Sequence, residues 1–273
     1  LTVINDSFYN NLDKGIIADS SSANTIVKDS FFSGTGFDGD NDYSVELQGN
    51  NVLVFNNTFV DAIEDAFIIV DVVVGSGSAG DGFNVSGNNF SNGYVGAAST
   101  TGKNGIIENN IFNNMAGGGI AVAISSNNVT VMNNSLFNVG NATFAAIYVD
   151  QYFDGFPVSN VTVVDNIINN SLGRSLTVGH TVGSLVEYNT IDNSTENGIF
   201  LNNSNDSIIR FNDIMNVGVF AGAINESSVY LLNVVNISIY SNNITRNDYG
   251  IYVNEGTDID IFENVLYNDS SIG

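Results

Sequence analysis

The sequence predicts an all-β fold: a right-handed, single-stranded parallel β-helix, a solenoid of about eleven coils of 22–24 residues with inserted loops. It reads as one domain over residues 1–273. Three observations predict this. A motif of Asn or Asp followed two residues later by Phe, Ile or Leu recurs along the chain, anchored at Asp6, Asp29, Asn57, Asn88, Asn110, Asn134, Asn166, Asn189, Asn212, Asn242 and Asn264. Two apolar columns keep register with these anchors. A third apolar segment, led by glycine, follows the motif in several units.

The first element of a unit precedes the anchor. Three residues upstream stand Val3, Ile26, Val54, Val85, Ile107, Val131, Val163, Val186, Ile209, Ile239 and Ile261, all β-branched. Stretches such as VTVMNN and ISIYSN alternate apolar and polar residues, the period of a strand. The second element follows the anchor. Two residues downstream stand Phe8, Phe31, Phe59, Phe90, Phe112, Leu136, Ile168, Ile191, Ile214, Ile244 and Leu266, all large and apolar. The third element appears as GIIA (15–18), GIAV (119–122), GIFL (198–201) and GIYV (250–253).

A unit this short holds three strands and their bends, but not a strand with a crossover helix. Stacked coils put each strand beside its own copy, roughly 4.8 Å away, and the crossover rule makes the winding right-handed. The bends account for the asparagine. Asn tolerates left-handed backbone, and amides stacked coil upon coil form a hydrogen-bonded ladder. A second polar column lies four residues after the anchor: Asn10, Ser33, Asp61, Asn92, Asn114, Asn138, Asn170, Asn193, Asn216, Arg246 and Asn268. Both polar columns are read as architecture.

Longer spacings after Asp29, Asn57, Asn134 and Asn212 mark inserted loops: GTGFDGDND (34–42), VVVGSGSAGDG (72–82), VDQYFDGFP (149–157) and GVFAGAINESSVYLL (218–232). Insertions in a solenoid emerge on its surface, often on a binding face. Tyr152, Phe153, Asp154 and Phe156 combine aromatic rings with an acid, suited to stacking on a sugar, gripping a neighbouring subunit or covering the helix itself. Asp38, Asp40 and Asp42 alternate on a glycine-containing loop as hard oxygen ligands do around Ca²⁺, although the full EF-hand spacing is not met. They are the candidate metal ligands; no cofactor is otherwise required.

The formal net charge is −23, from 29 acidic and 6 basic residues. Such a surface repels nucleic acid and anionic lipid. No apolar run is long enough to span a membrane. Cysteine is absent, which excludes disulfides and thiolate metal sites and leans towards a prokaryotic surface protein. The chain opens on LTVIND, as if within a strand, and stops at NDSSIG without a capping element. It is expected to be a segment of a longer protein, with bare strand edges that invite self-association. Sixteen Asn-x-Ser/Thr sequons occur. Asn141, Asn205 and Asn225, in predicted turns, are the candidate glycosylation acceptors.

These units resemble the parallel β-helix repeats of pectate-lyase-like proteins. Their Asn-rich style, in FNNTFVDA, ENNIFNNM, VDNIINNS and YSNNITRN, resembles more specifically the adhesin-like surface proteins of archaea, methanogens above all. The resemblance covers essentially the whole chain and implies a fold that hosts lyases, hydrolases, epimerases, tailspikes and adhesins. Lyases of that kind use a basic residue beside a carboxylate-held Ca²⁺. Here Lys14, Lys28, Lys103, Arg174, Arg210 and Arg246 are the only candidates, and the arginines fall in different columns. Of the polygalacturonase pattern only Gly179-His180-Thr181 matches in part, and a lone His in a repeat reads as a turn residue.

The sequence-based expectation is therefore a non-enzymatic, extracellular cell-surface protein, an adhesin or a filament or sheath subunit. Two alternatives stay open: a polysaccharide-active enzyme with convergent acids in a groove, and a non-catalytic carbohydrate-binding module.

Overall fold

The computed structural model describes residues 1–11, 13–34, 43–61, 66–70, 80–99, 102–151, 157–218, 226–247 and 249–267. All regular structure among them is β. Strands pair in parallel with their copies one coil away, as in Val3 with Val27, Val131 with Val163 and Ile239 with Ile261. The second strands of the coils form an 11-stranded sheet, and the first and third strands join in a 21-stranded sheet. The eleven coils of the motif are thus present, and the glycine-led segments are strands, among them Ile16–Ala18, Gly118–Ala123 and Ile199–Asn202. No helix among the described residues is long and apolar enough to cross a membrane.

The core is the pair of apolar columns. Phe8, Phe32, Phe59, Phe90 and Phe112 stack ring on ring at 4.7–5.0 Å, and Leu136, Ile168, Ile191, Ile214 and Ile244 continue the line, fully buried. Between the columns runs the amide ladder. Asn110 donates its backbone N–H and its Nδ2 to Asn134 Oδ1, both at 3.0 Å, and Asn134 does the same to Asn166 at 3.0 Å. Each amide also donates to a carbonyl of the coil before, as Asn134 Nδ2 does to Ile107 O at 2.9 Å. Every polar atom in this dry line therefore has a partner, which lets an interior amide coexist with a hydrocarbon core.

Two expectations are corrected in detail. In the second coil the register lies one residue later. Val27 and Phe32 face the core, not Ile26 and Phe31, and Ser30 enters the ladder in place of Asp29. Asp29-Ser30-Phe31-Phe32 offers an apolar ring to either frame, although only Asp29 with Phe31 fits the motif itself. The frame with Phe32 extends the Phe8–Phe59 stack and keeps a carboxylate out of the interior. The left-handed residue is also not the anchor but the one before it: Asn5, Asp29, Asn56, Asn109, Asn133 and Asp165 all have φ between 53° and 57°. The column four after the anchor is left-handed throughout Asn92, Asn114, Asn138, Asn170, Asn193 and Asn216, with Gly34 rather than Ser33 in the second coil.

The insertions are shorter than expected. Val149 and Asp150 belong to the strand Ile147–Asp150, and residues 227–232 to the strand Ser227–Tyr240.

Candidate functional site

The third strands in the middle of the solenoid carry their chemistry on the outer face. In Ile147–Asp150, Ile147 and Val149 point into the core, so Tyr148 and Asp150 point out. Parallel register continues the Tyr148 position through Thr177, Phe200, Tyr230 and Tyr252. Beside Asp150 in the next coil is Gly179, where a β-carbon would collide with the Asp150 carboxylate. The absent side chain is the space that the carboxyl group occupies.

The following residue, His180, has φ 48°, a conformation that His adopts more readily than most residues. Its Nδ1 lies 2.8 Å from Asp150 Oδ1, and Asn203 Nδ2 lies 3.0 Å from its Nε2. Tyr148 donates its hydroxyl to Asp150 Oδ2 at 3.3 Å. With Nδ1–H donated to Asp150, Nε2 is the ring nitrogen that faces the Asn203 amide. Burial raises the Asp150 carboxyl above its ordinary range, opposed by its bonds to His180 and Tyr148. Asp150 is 7% exposed, while His180 is partly open to solvent.

A cation lies on the same face. The Arg174 guanidinium covers the Phe200 ring at 4.3 Å, and its Nε is 3.3 Å from Glu196 Oε2. That contact is an ion pair without hydrogen-bond alignment, and Arg174 Nε is otherwise unpartnered among the described residues. Desolvation raises the Glu196 carboxyl; Arg174 works against this and Glu226 adds to it. Thr177 Oγ1, between Tyr148 and Phe200, is buried and has no partner among the described residues. A base oriented by a buried carboxylate, a phenol, a cation and an unpaired hydroxyl on one sheet face form a constellation for proton transfer. By contrast, the open groove of ≈ 290 Å³ on the 11-stranded sheet, lined by Ile111, Phe137, Ile167 and Asn169, holds no titratable group.

The sequence named no catalytic residue: it weighed Arg174 and His180 singly, and it did not single out Tyr148 or Asp150, which the fold brings beside His180. His180 is indeed a turn residue, and its partner stands 30 positions earlier. That pairing becomes visible only once the insertion is placed after Asp150. Of the residues it did name, Asp38, Asp40 and Asp42, the aromatic loop of Tyr152, Phe153, Asp154 and Phe156, and Asn225 lie outside the described residues. Among the described residues no three His, Asp or Glu side chains gather as a metal site. Asn205 is exposed. Asn141 is held in its own turn, accepting from the N–H groups of Thr143 and Phe144 at 2.7 and 2.9 Å and donating to Ala116 O at 2.7 Å.

Fold and site together define a parallel β-helix with a polar–aromatic face. The chain belongs to the family described as right handed beta helix region, whose profile matches residues 71–214. No curated protein matches it. Among solved structures it is similar to a mannuronic acid specific polysaccharide family 6 lyase from human gut microbiota, with 12% identity, a TM-score of 0.61 and coverage of 98% of this chain and 81% of that one. It is also similar to the A-module of the Azotobacter vinelandii mannuronan C-5 epimerase AlgE6, with 13% identity, a TM-score of 0.56 and coverage of 94% and 77%. A third is the tailspike of the E. coli bacteriophage HK620, in complex with a pentasaccharide, with 13% identity, a TM-score of 0.60 and coverage of 97% of this chain but 54% of that one.

Likeness at these identities establishes the fold. The expectation of a non-enzyme is nevertheless corrected. It rested on the scarcity of basic residues and the missing pectate-lyase-like pattern, whereas the solved structures of this fold include a lyase and an epimerase, and Asp150, His180 and Tyr148 are in contact on one face.

Proposed function

We propose that this chain is a polysaccharide-active β-helix protein that moves a proton at C5 of a uronate unit in an acidic glycan. The observation that carries the reading is the His180 imidazole, fixed by Asp150 with Nε2 facing outward. Nε2 takes the C5 proton, and Asp150 stabilises the imidazolium that forms. Arg174, over Phe200 and ion-paired with Glu196, is assigned to the uronate carboxylate, exchanging that pair for the charge that develops when C5–H ionises.

Two outcomes follow from the same carbanion. In a lyase its electron pair forms the C4–C5 double bond as the C4–O bond breaks, and the leaving oxygen takes a proton. In an epimerase a proton returns to C5 from the opposite face. Tyr148, the phenol beside Asp150, is assigned the proton delivered to the leaving oxygen in the lyase outcome. The activities in the names of the lyase and the epimerase, and the pentasaccharide bound by the tailspike, support this reading over a purely adhesive one. An extracellular location belongs to the same proposal, since the substrate is a polymer.

The test incubates the protein with polymannuronate, polyguluronate and polygalacturonate. It follows ultraviolet absorbance of the unsaturated uronate and C5 configuration by NMR. The expected result is turnover of one of them, lowered about 10²-fold or more in His180→Asn. No turnover of any polyuronate, or a fully active His180→Asn, overturns the reading.

A further inference from the structure

A second surface, away from the His180 face, carries its own signal. In the first seven coils the left-handed residue before the anchor is Asn, Asp or Gly, at Asn5, Asp29, Asn56, Gly87, Asn109, Asn133 and Asp165. These types accept positive φ at least strain. The eighth and ninth coils place Tyr188 and Phe211 there, at φ 56° and 55°, conformations that are outliers for bulky side chains. Burial does not offset the strain, since the two are 51% and 40% exposed.

Their rings stack at 5.0 Å and 10°. Tyr240 and Phe262, one position earlier in the next two coils, stack at 4.8 Å and 7°. Phe211 meets Tyr240 edge to face at 5.9 Å. The result is one aromatic strip along the helix axis across four coils. Arg210 is bound into it, donating Nη1–H to Tyr240 Oη at 2.9 Å and Nε–H to Glu187 at 2.6 Å.

We infer that this strip is a binding site for a glycan chain lying along the axis through its uncharged pyranose faces. Rings supply apolar contact for sugar C–H groups, and a fixed row of phenol, guanidinium and carboxylate supplies hydrogen bonds to hydroxyls. Arg210 is already neutralised by Glu187, on a chain of net charge −23. The site therefore has no free cation for an acidic sugar or a phosphate, and the ligand is a neutral polysaccharide.

The test uses the His180→Asn protein, so that turnover plays no part, and compares it with the same chain carrying Tyr188→Asn and Phe211→Asn. Migration is followed in native gels containing soluble xylan, galactomannan or β-glucan, together with thermal midpoint and sedimentation. The expected result is retardation by at least one glycan, abolished in the double variant. The double variant's midpoint is unchanged or higher, because Asn relieves the strained corners. Four results overturn the inference: no retardation by any of the three, equal retardation of both proteins, a midpoint lowered by several degrees, or loss of self-association in place of glycan binding. None of them bears on C5 chemistry at His180.

Discussion

Single amides carry much of this fold. Asn134 accepts two hydrogen bonds from Asn110 and donates to Ile107 and Asn166, all in the interior. Asn134→Ala leaves those groups without partners, at about 1–3 kcal/mol per unpaired group. We predict a loss of roughly 3 kcal/mol or more in urea unfolding, and a loss below ~1 kcal/mol would show that water replaces the ladder. Glu196 gives a pH-dependent counterpart. Desolvation raises its folded-state pKa, so its contribution is complete below the unfolded value near 4.3 and is lost as pH rises through the folded one. Glu196→Gln escapes that loss. Its thermal midpoint relative to the parent therefore climbs between about pH 4 and pH 7, and a flat difference would contradict the burial argument. At this scale the motif gave the register correctly outside the second coil. Asp29 misled because it matches the motif with Phe31, whereas Ser30 enters the ladder and Phe32 is the ring that stacks between Phe8 and Phe59.

At the scale of elements, three short strands and their bends were readable because each has its own column. The Ile, Val and Phe columns report core faces, and Asn reports left-handed corners. The site was less legible because it depends on insertions, whose attachment points leave no periodic trace. The loop assigned to 149–157 had absorbed Val149 and Asp150, which are strand residues. This hid the fact that Asp150 stands beside Gly179 and within reach of His180. Gly179→Ala tests that arrangement. Its new methyl group meets the Asp150 carboxylate, so the dyad is displaced while the columns of the core are untouched. The expected outcome is a folded protein with normal circular dichroism and turnover of a polyuronate reduced at least tenfold. Unchanged turnover would mean that Asp150 does not orient His180 during the reaction.

The molecule as a whole carries a net charge of −23. Self-repulsion opposes folding, and the same field opposes approach of a polyanionic substrate. Raising salt from low to physiological strength is therefore expected to raise both the thermal midpoint and kcat/KM on a polyuronate, the reverse of an electrostatically steered enzyme. A fall in kcat/KM would show that local cations, Arg174 foremost, outweigh the global field. Net charge and the lack of cysteine were plain in the sequence and set these bulk properties. The working face was not, because it is assembled from residues of several coils, and a repeat pattern reports what coils share rather than where one departs.

The most direct measurement of the central claim is hydrogen exchange at C5 of a polyuronate in deuterated water, read by NMR and mass spectrometry for the parent, His180→Asn and Asp150→Asn. C5 ionisation is common to elimination and inversion, so the account predicts exchange at C5 or a C4–C5 unsaturated product with the parent, and a large reduction of both in the two variants. A parent that leaves C5 protonated and the polymer intact, or variants that match it, would contradict the assignment of proton-transfer chemistry to this face.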